Sequence, residues 1–381
     1  MQGPSFIKRF ILSAAFVLAA HSVLVAAPAA QKFPFHLYFG ETHNHTIFSF
    51  DYKGPEENSE PIDAYRYARD VRKYDFFVIT DHNFDKMDKD LHKKGLQQAD
   101  EATVDGKFVA IYGTEFNRGM KQQGHINIFD PPVFISWADE DVYVDEGDIK
   151  GVYKAIKEHP GPFGPAAQFN HPFAVNFDEF EYDKTGASVM KLIETSNGQS
   201  ELPGYEDMLD MYHENVQTAL SKGWRLGFSA SDDHHDHGWG TVFPETTGLF
   251  AKELTRREII SAIQNRRSYS MNDTNAFALF MVKGRIMGTS AALADGNLKF
   301  YMRVDDPDAG EGVKQAVIYY GVPGSGKKAE VLATLDGAVR KLNVLKYDHV
   351  QPKGTTFYYY VRVTQTDGNF IMLSPVWLTV R

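Results

Sequence analysis

The stretch Tyr38-Phe39-Gly40-Glu41-Thr42-His43-Asn44-His45-Thr46-Ile47-Phe48-Ser49-Phe50-Asp51 decides how the rest of this 381-residue chain is read. It begins as an apolar strand (Leu37, Tyr38, Phe39), turns at Gly40 and delivers His43 and His45 two residues apart. On an extended backbone that spacing places both imidazoles on one side. It is a metal-ligand spacing, but a lone His-x-His is a weak signal, so further donors are needed at the ends of other strands.

Downstream the pattern repeats: an apolar run, polar residues at its end, then a helical period. Strand-like Phe76 to Thr80 ends in Asp81-His82, and Phe108 to Tyr112 ends in Gly113-Thr114-Glu115. His125 leads into Ile126 to Phe129, Ala166 to Phe169 ends in Asn170-His171-Pro172, and Val189 to Ile193 ends in Glu194. Arg225 to Ser229 runs into Ser231-Asp232-Asp233-His234-His235-Asp236-His237. Between these runs the spacing predicts helices over Pro61 to Tyr74, Asp90 to Thr103, Asp148 to Glu158 and Asp207 to Ser221. In the first, Ala64, Ala68, Val71 and Tyr74 share one face. A last helix, Leu254 to Asn265, starts with the capping box Thr255-x-x-Glu258 and turns Ile259, Ile260 and Ile263 inward. Strands alternating with helices predict an α/β architecture with parallel pairing. Polar residues collected at strand C-termini predict a (β/α) barrel, distorted or short of eight units. From Ala276 onward short strand-like runs separated by Gly, Pro and Asp turns predict a small all-β, sandwich-like domain. The expected organisation is a leader over 1–30, the barrel over 31–272 and the β-domain over 273–381.

Composition narrows the function. The chain is 43% hydrophobic and 13% aromatic, as a globular protein with a large core is, and its 40 basic and 50 acidic residues give a net charge of -10. The charges are scattered, which argues against an extended nucleic acid as partner. Lys8 and Arg9 precede an apolar run from Phe10 to Ala20, and small residues follow through Ala30. This reads as a cleaved signal peptide that leaves no stable membrane span, and it predicts a bacterial periplasmic or secreted protein. With no cysteine, stability has to come from the core and from bound metal.

The candidate metal ligands are His43, His45, Asp51, His82, Glu115, His125, His171, Asp232 and His234. Imidazole and carboxylate without thiolate suit zinc, manganese or iron, and nine donors suffice for two or three divalent ions sharing bridging carboxylates. Asp233 and His235 repeat the spacing of Asp232 and His234, so that register is open in the sequence. The earlier pair is preferred because it follows Ser231.

His43-x-His45, Thr80-Asp81-His82, Gly113-x-Glu115, Gly124-His125, Asn170-His171-Pro172 and Ser231-Asp232-x-His234 resemble the ordered motifs of the PHP (polymerase and histidinol phosphatase) superfamily. Leu254-Thr255-x-x-Glu258 through Ala262, then Arg266-Arg267-Ser268-Tyr269, is similar to its CehA/McbA-like branch of metallohydrolases. The resemblance covers residues 36 to 290. It implies a distorted (β/α)7 barrel with a di- or trinuclear centre. His43, His45, Glu115 and Asp232 would hold one ion. Glu115 would bridge to a second held by His125 and His171, and Asp51, His82 and His234 would hold a third. Asp51 departs from the His of many relatives, which bears on the third ion. Glu41 stands where the family often has Asp and is expected to support a ligand. His235 and His237 are expected to line the pocket, and Glu194 and Asn197 to orient substrate or a ligand, or to serve structure alone.

The expected activity is hydrolysis of a small-molecule ester by metal-activated water, first a phosphoester, with His234 and Arg118 as catalytic candidates and Arg118 contacting phosphate. The alternative is a carbamate, carboxylic ester or amide, as in the CehA/McbA-like branch. A non-catalytic envelope- or glycan-binding protein would be expected to have lost ligands to apolar residues, and none of the nine positions is apolar. Gly321 to Lys328 nearly spells a phosphate-binding loop, but Lys stands where Ser or Thr is required, and it reads as a turn. Asp305, Asp306 and Asp308 suggest calcium but lack a full loop pattern. His92 and His213 read as surface or core histidines.

Overall fold

Phe76–His82 is a run of seven residues with no exposed member. Such a strand has no solvent face and belongs at the centre of a covered sheet. In the computed structural model, which describes residues 33–117, 124–138, 140–198, 204–339 and 348–381, that is where it lies. The leader and Arg118 fall outside the described residues. Phe35–Arg381 forms one compact unit.

The strands are β1 (His36–Glu41), β2 (Phe76–His82), β3 (Val109–Phe116), β4 (Ile126–Phe129), the short β5 (Ile135–Ser136) and β6 (Val142–Tyr143), β7 (Ala167–Phe169), β8 (Met190–Asn197), β9 (Gly227–Ser231), β10 (Thr246–Ala251) and β11 (Ser268–Met271). The C-terminal part adds β12 (Phe277–Val282), β13 (Arg285–Ile286), β14 (Ser290–Leu293), β15 (Asn297–Asp305), β16 (Val313–Gly321), β17 (Glu330–Val339), β18 (Asp348–Val350), β19 (Thr356–Gln365) and β20 (Phe370–Val380). The fold is mixed α/β with one large sheet and few helices. Its fourteen-stranded sheet runs β17-β16-β19-β20-β11-β10-β1-β2-β3-β4-β7-β8-β9, with β14 paired to β20. The β9 end curls back towards β10. Ala230 N–H donates to Thr247 Oγ1 at 2.9 Å, and that hydroxyl donates to Ala230 O at 2.7 Å.

The uniformly parallel pairing expected of alternating strands and helices is not what forms. β1–β2, β2–β3, β7–β8 and β8–β9 are parallel, whereas β4 is antiparallel to both β3 and β7, and β10 to both β1 and β11. The connection from β3 to β4, residues 117–125, is shorter than the roughly a dozen residues a parallel crossover requires. The first helix also differs from expectation. Pro61–Tyr67 is α-helical, but Ala68–Arg72 opens into a wider π-type turn that Lys73 ends at φ 63°. The change of pitch breaks the 3.6-residue face, and Val71, expected inside, is 55% exposed.

Helix starts follow their caps: Asp88 accepts from Leu91 N–H, Asp148 from Gly151 N–H and Thr255 from Glu258 N–H. Ile259, Ile260 and Ile263 of the last helix (Arg256–Gln264) pack on Phe76, Val78 and Ile111, covering one side of the sheet. C-terminally, the four-stranded sheet β13-β12-β15-β18 faces β16, β19 and β20. Phe280, Phe300 and Met302 from one layer share a core with Ile318, Tyr359, Val361 and Leu378 from the other. Gly321 to Lys328 carries the turn from β16 to β17. No helix among the described residues is long and apolar enough to cross a membrane.

Candidate metal centre

β1, β2 and β3 all point their C-terminal ends at one place. Beyond β1 the chain stays extended through Thr42–Thr46, tied on one side to β2 (Thr80 N to Asn44 O, 2.8 Å) and on the other to the segment after β9 (Asp233 N to His43 O, 3.2 Å; His45 N to His234 O, 3.1 Å). Asp81 fixes the far end of this run, accepting from Thr46 N at 2.6 Å, Thr46 Oγ1 at 2.8 Å and Tyr112 OH at 3.0 Å. His43 and His45 therefore project together, their Nε2 atoms 3.2 Å apart and fully buried.

Two carboxylates close on that pair. Glu115 Oε2 lies 3.2 Å from His43 Nε2 and 3.3 Å from His45 Nε2, and Asp233 Oδ1 lies 3.1 and 3.0 Å from the same atoms. The other Glu115 oxygen, Oε1, is 3.0 Å from His125 Nδ1 and 3.2 Å from His171 Nε2, so one carboxylate spans two groups of donors. His82 links the next group: its Nδ1 is 3.2 Å from Glu115 Oε2 and its Nε2 3.2 Å from Asp51 Oδ2, which is 3.0 Å from His235 Nε2. His43, His45 and Glu115 form the buried floor, while the Asp51, His125, His171 and His235 side chains remain 20–27% exposed and make the open face.

Seven of the nine predicted donors thus meet: His43, His45, Asp51, His82, Glu115, His125 and His171. In the two-fold register after Ser231, the structure brings Asp233 and His235 to the cluster and not the preferred Asp232 and His234. A regular parallel rung would return from His45 to the carbonyl of Asp233, but the bond goes to His234, one residue on. The extra residue, Asp233, adopts φ 50° and swings its carboxylate onto the histidines. Gly198 makes room behind, since a Cβ there would sit 1.7 Å from Asp232 O. Asp232 faces away, its Oδ2 accepting from Gly240 N at 3.2 Å and its own N–H donating to Glu41 Oε2 at 2.9 Å. His234 Nε2 is 2.9 Å from His237 O. His237 lies off the cluster, with Nε2 2.7 Å from Ser59 Oγ.

A layer of supporting groups surrounds the donors. Glu194 Oε1 lies 2.9 Å from His43 Nδ1, so that nitrogen donates and Nε2 presents a lone pair to the cluster. The other oxygen of Glu194 accepts from His171 N at 2.6 Å, holding His171 at φ 28°, and from Asn197 Nδ2 at 3.0 Å. Asn197 also donates to Asp233 Oδ2, Asn170 to Glu115 Oε1, and Gln168 to Glu194 Oε1. Ser49 Oγ is 3.1 Å from His45 Nδ1 and accepts from His82 N. Gln168 and Ser49 were not singled out in the sequence. Gln168 and Asn170 alternate with apolar Ala167 and Phe169, which gives this buried strand one polar face turned to the cluster.

Burial alone would lower the imidazole pKa values and raise those of the carboxylates. Their mutual attraction overrides it, lifting His43 well above its usual range and His45 to about 10, and holding Glu115, Asp233 and Asp51 below theirs. Three carboxylates at one point demand positive charge. A divalent ion fits that demand. Asp233 Oδ1, Asp51 Oδ1 and His82 Nδ1 are buried without a hydrogen-bond partner. The five distances among His43 Nε2, His45 Nε2, Glu115 Oε2 and Asp233 Oδ1 quoted above lie between 3.0 and 3.3 Å. A regular tetrahedron of that edge has its centre about 2 Å from each corner, the length of a zinc–nitrogen or zinc–oxygen bond.

Among known proteins, a family model described as "Protein of unknown function (DUF3604)" matches residues 32–84, which hold His43, His45, Asp51 and His82. An uncharacterized protein of Chlamydia pneumoniae is 22% identical over 353 residues, 85% of this chain and 55% of the relative. Among solved structures, a two-domain protein from Bacteroides vulgatus containing a predicted PHP-like metal-dependent phosphoesterase is similar at 15% identity and a TM-score of 0.44, over 90% of this chain and 94% of that one. A superoxide reductase (neelaredoxin) from Ignicoccus hospitalis covers 27% of this chain and 83% of its own at 10% identity and a TM-score of 0.19. The chain spans about half the length of the Chlamydia pneumoniae relative it matches.

Proposed function

We propose that this protein is a metal-dependent hydrolase of small esters, a phosphoesterase first, built on a distorted PHP-type (β/α)7 barrel. The observation that carries the reading is the bridging position of Glu115, with His43 and His45, which also meet Asp233, on one oxygen and His125 and His171 on the other. A single-ion structural site has no use for a carboxylate shared in this way. His43, His45, Glu115 and Asp233 would hold one ion, and Asp51, His82 and His235 another; Glu115 with His125 and His171, both on its other oxygen, would hold a further one. Zinc, manganese and iron suit these nitrogen and oxygen donors. Such ions would lower the pKa of a coordinated water from about 16 towards about 7 and neutralise charge on the attacked ester oxygen.

The chain's own residues do the rest. Glu194 fixes the tautomer and orientation of His43, Asn197 and Asn170 hold the two carboxylates in place, and the exposed edge of His125, His171 and His235 admits the ester. Phe50, 5.2 Å from the His82 ring, continues through Phe84 to Trp137 as an aromatic wall beside the donors. That wall favours a second reading, hydrolysis of an aryl or otherwise apolar ester or carbamate of the CehA/McbA type, because it offers apolar surface next to the open face. The reading includes export, which rests on the leader sequence at residues 1–30.

The test is a screen of metal-replete mature protein against aryl phosphomonoesters, phosphodiesters, carboxylic esters and carbamates, with His43→Ala as the blank. Chelator-sensitive turnover absent from the blank supports the hydrolase. Activity that survives His43→Ala and chelation alike overturns it, and chelator-sensitive turnover confined to carbamates or carboxylic esters selects the second reading.

A further inference from the structure

The chain carries a net charge of -10, yet it holds a cleft of about 640 Å³ whose charged lining residues, Lys222, Arg225 and Arg266, are all cations. The cleft lies at the N-terminal ends of β8 and β9, the opposite ends from Glu194, Asn197 and Asp233. Arg225 stands just before β9, Lys222 ends the helix Tyr205–Lys222, and Arg266 follows the helix Arg256–Gln264. The facing wall is the β16–β17 turn, through Val322, Pro323 and Gly324. Gly326 N–H of that turn donates to Ser221 O at 3.0 Å, which ties the turn to the end of the helix. The stretch that nearly spells a phosphate-binding loop thus closes a cationic cleft.

Nothing in the protein neutralises these charges. Two other cations of this region, Lys328 and Arg362, pair with Glu214 and Asp210, whereas no described carboxylate forms an ion pair with Lys222, Arg225 or Arg266. Lys222 Nζ donates to the Glu179 carbonyl, which carries no charge. Arg266 Nε is buried with no hydrogen-bond partner, and burial followed by the charge of Arg225 lowers the Arg266 pKa to about 10. Burial and then the Arg266 charge in turn lower Lys191 to about 8. The backbone also bends to keep this side chain. Arg266 sits at φ 56° just past its helix, the left-handed position where glycine is usual. An unpaired buried donor and uncompensated like charges are both relieved by one anion.

The donors select the anion. Forked guanidinium groups match the oxygens of phosphate, and three cations suit a dianion better than a single carboxylate. Gly324 and Gly354 leave the cleft open, since a Cβ at either would meet nothing within 4 Å, and exposed Tyr182 with Pro323 offers apolar surface to an attached organic group. We propose that Lys222, Arg225 and Arg266 bind a phosphate group, that of inorganic phosphate or of a small organic phosphate, in the cleft between the starts of β8 and β9 and the β16–β17 turn. The site stands apart from the metal donors and does not depend on the hydrolase reading.

The experiment measures binding of inorganic phosphate at about 1 mM by equilibrium dialysis of the mature protein, in about 0.15 M NaCl to screen isolated surface cations. Manganese-loaded wild type is compared with Asp233→Asn, which disables the donor cluster, and Arg225→Gln and Arg225→Gln/Arg266→Gln are made in both. Asp233→Asn should keep one phosphate per chain. Arg225→Gln should weaken that binding at least about tenfold, and the double change should abolish it. Phenylphosphonate, which has no ester bond to hydrolyse, is the competitor: displacement shows that organic phosphates enter, exclusion restricts the site to inorganic phosphate, and either supports it. Should the Arg266 variant fail to fold, Arg225→Gln at the surface decides alone. Phosphate binding that is absent from Asp233→Asn, or undiminished by Arg225→Gln, overturns the site.

Discussion

Two stretches reach the donor cluster by opposite routes. Thr42–Thr46 prolongs β1 as extended backbone bonded on both sides, and both of its histidines point the same way into the floor. The segment after β9 arrives through a bulge at Asp233 and divides its side chains, Asp233 and His235 towards the cluster, Asp232 and His234 away. The division is electrostatic as well as geometric. Asp233, against two imidazoles, is held well below the usual carboxylate range. Asp232 is raised far above it by burial and then by the charges of Glu41 and Glu245, and burial pushes Glu41 itself up to about 7. Two adjacent aspartates thus face opposite demands: the imidazoles favour the charged form of Asp233, and burial beside Glu41 and Glu245 favours the neutral form of Asp232.

Substituting the two in turn gives the largest expected effect. Asp233→Asn should cut turnover about 10³-fold or more, equivalent to about 4 kcal/mol, with loss of bound metal, whereas Asp232→Asn should stay within about tenfold of the wild type. Steady-state kinetics and metal analysis on both variants check this, and equal losses would break the contrast. His92 sharpens the electrostatic half. It is buried with its Nε2 3.0 Å from Pro131 O, and burial lowers its pKa to about 4, so it stays neutral at neutral pH with no carboxylate close enough to reverse that. A depressed imidazole contributes stability that is full above its unfolded pKa of about 6.5 and is lost as pH falls towards 4. Denaturant titrations across that window should lose up to about 3 kcal/mol, and His92→Gln should flatten the slope. An unchanged slope would mean His92 is not held neutral.

Glu194→Gln comes next. It keeps the shape but weakens the hold on His43 Nδ1, and metal affinity should drop about 10- to 100-fold with the fold intact, as competition with a chromogenic chelator would reveal. An unaltered affinity would show that packing alone orients the ring. The smallest expected change is Ser49→Ala, which leaves His82 N–H and His45 Nδ1 without their shared partner. It should cost about 1 kcal/mol of stability by chemical unfolding and change metal affinity less than Glu194→Gln does.

The difference between the two stretches also explains what the sequence could tell. His43, His45, His82, Glu115 and His171 sit at or just past strand ends, where an extended backbone makes residue spacing a direct statement about side-chain direction. Asp233 and His235 follow a bulge, and one inserted residue reverses the parity on which such a reading depends. The helices over 89–102, 149–158 and 256–264 are legible from their caps and apolar faces. The antiparallel course of β4 is not legible from periodicity, which is blind to strand direction, although the short connection before it carried the clue. Glu194 is legible as a polar residue at a strand end, but nothing local announces its pairing with His43, 151 residues away in sequence.

One pairing has a consequence for how the chain can be handled. β11 hydrogen-bonds to β10 on one side and to β20 on the other, Tyr269 facing Leu373 and Met271 facing Ile371. A protein shortened to end near residue 272 would keep β11 but strip its outer neighbour, leaving a bare sheet edge and uncovered apolar side chains, a template for intermolecular association. Heating the whole chain should accordingly give one melting step, and gene dissection at that position should give aggregates instead of a free-standing N-terminal half.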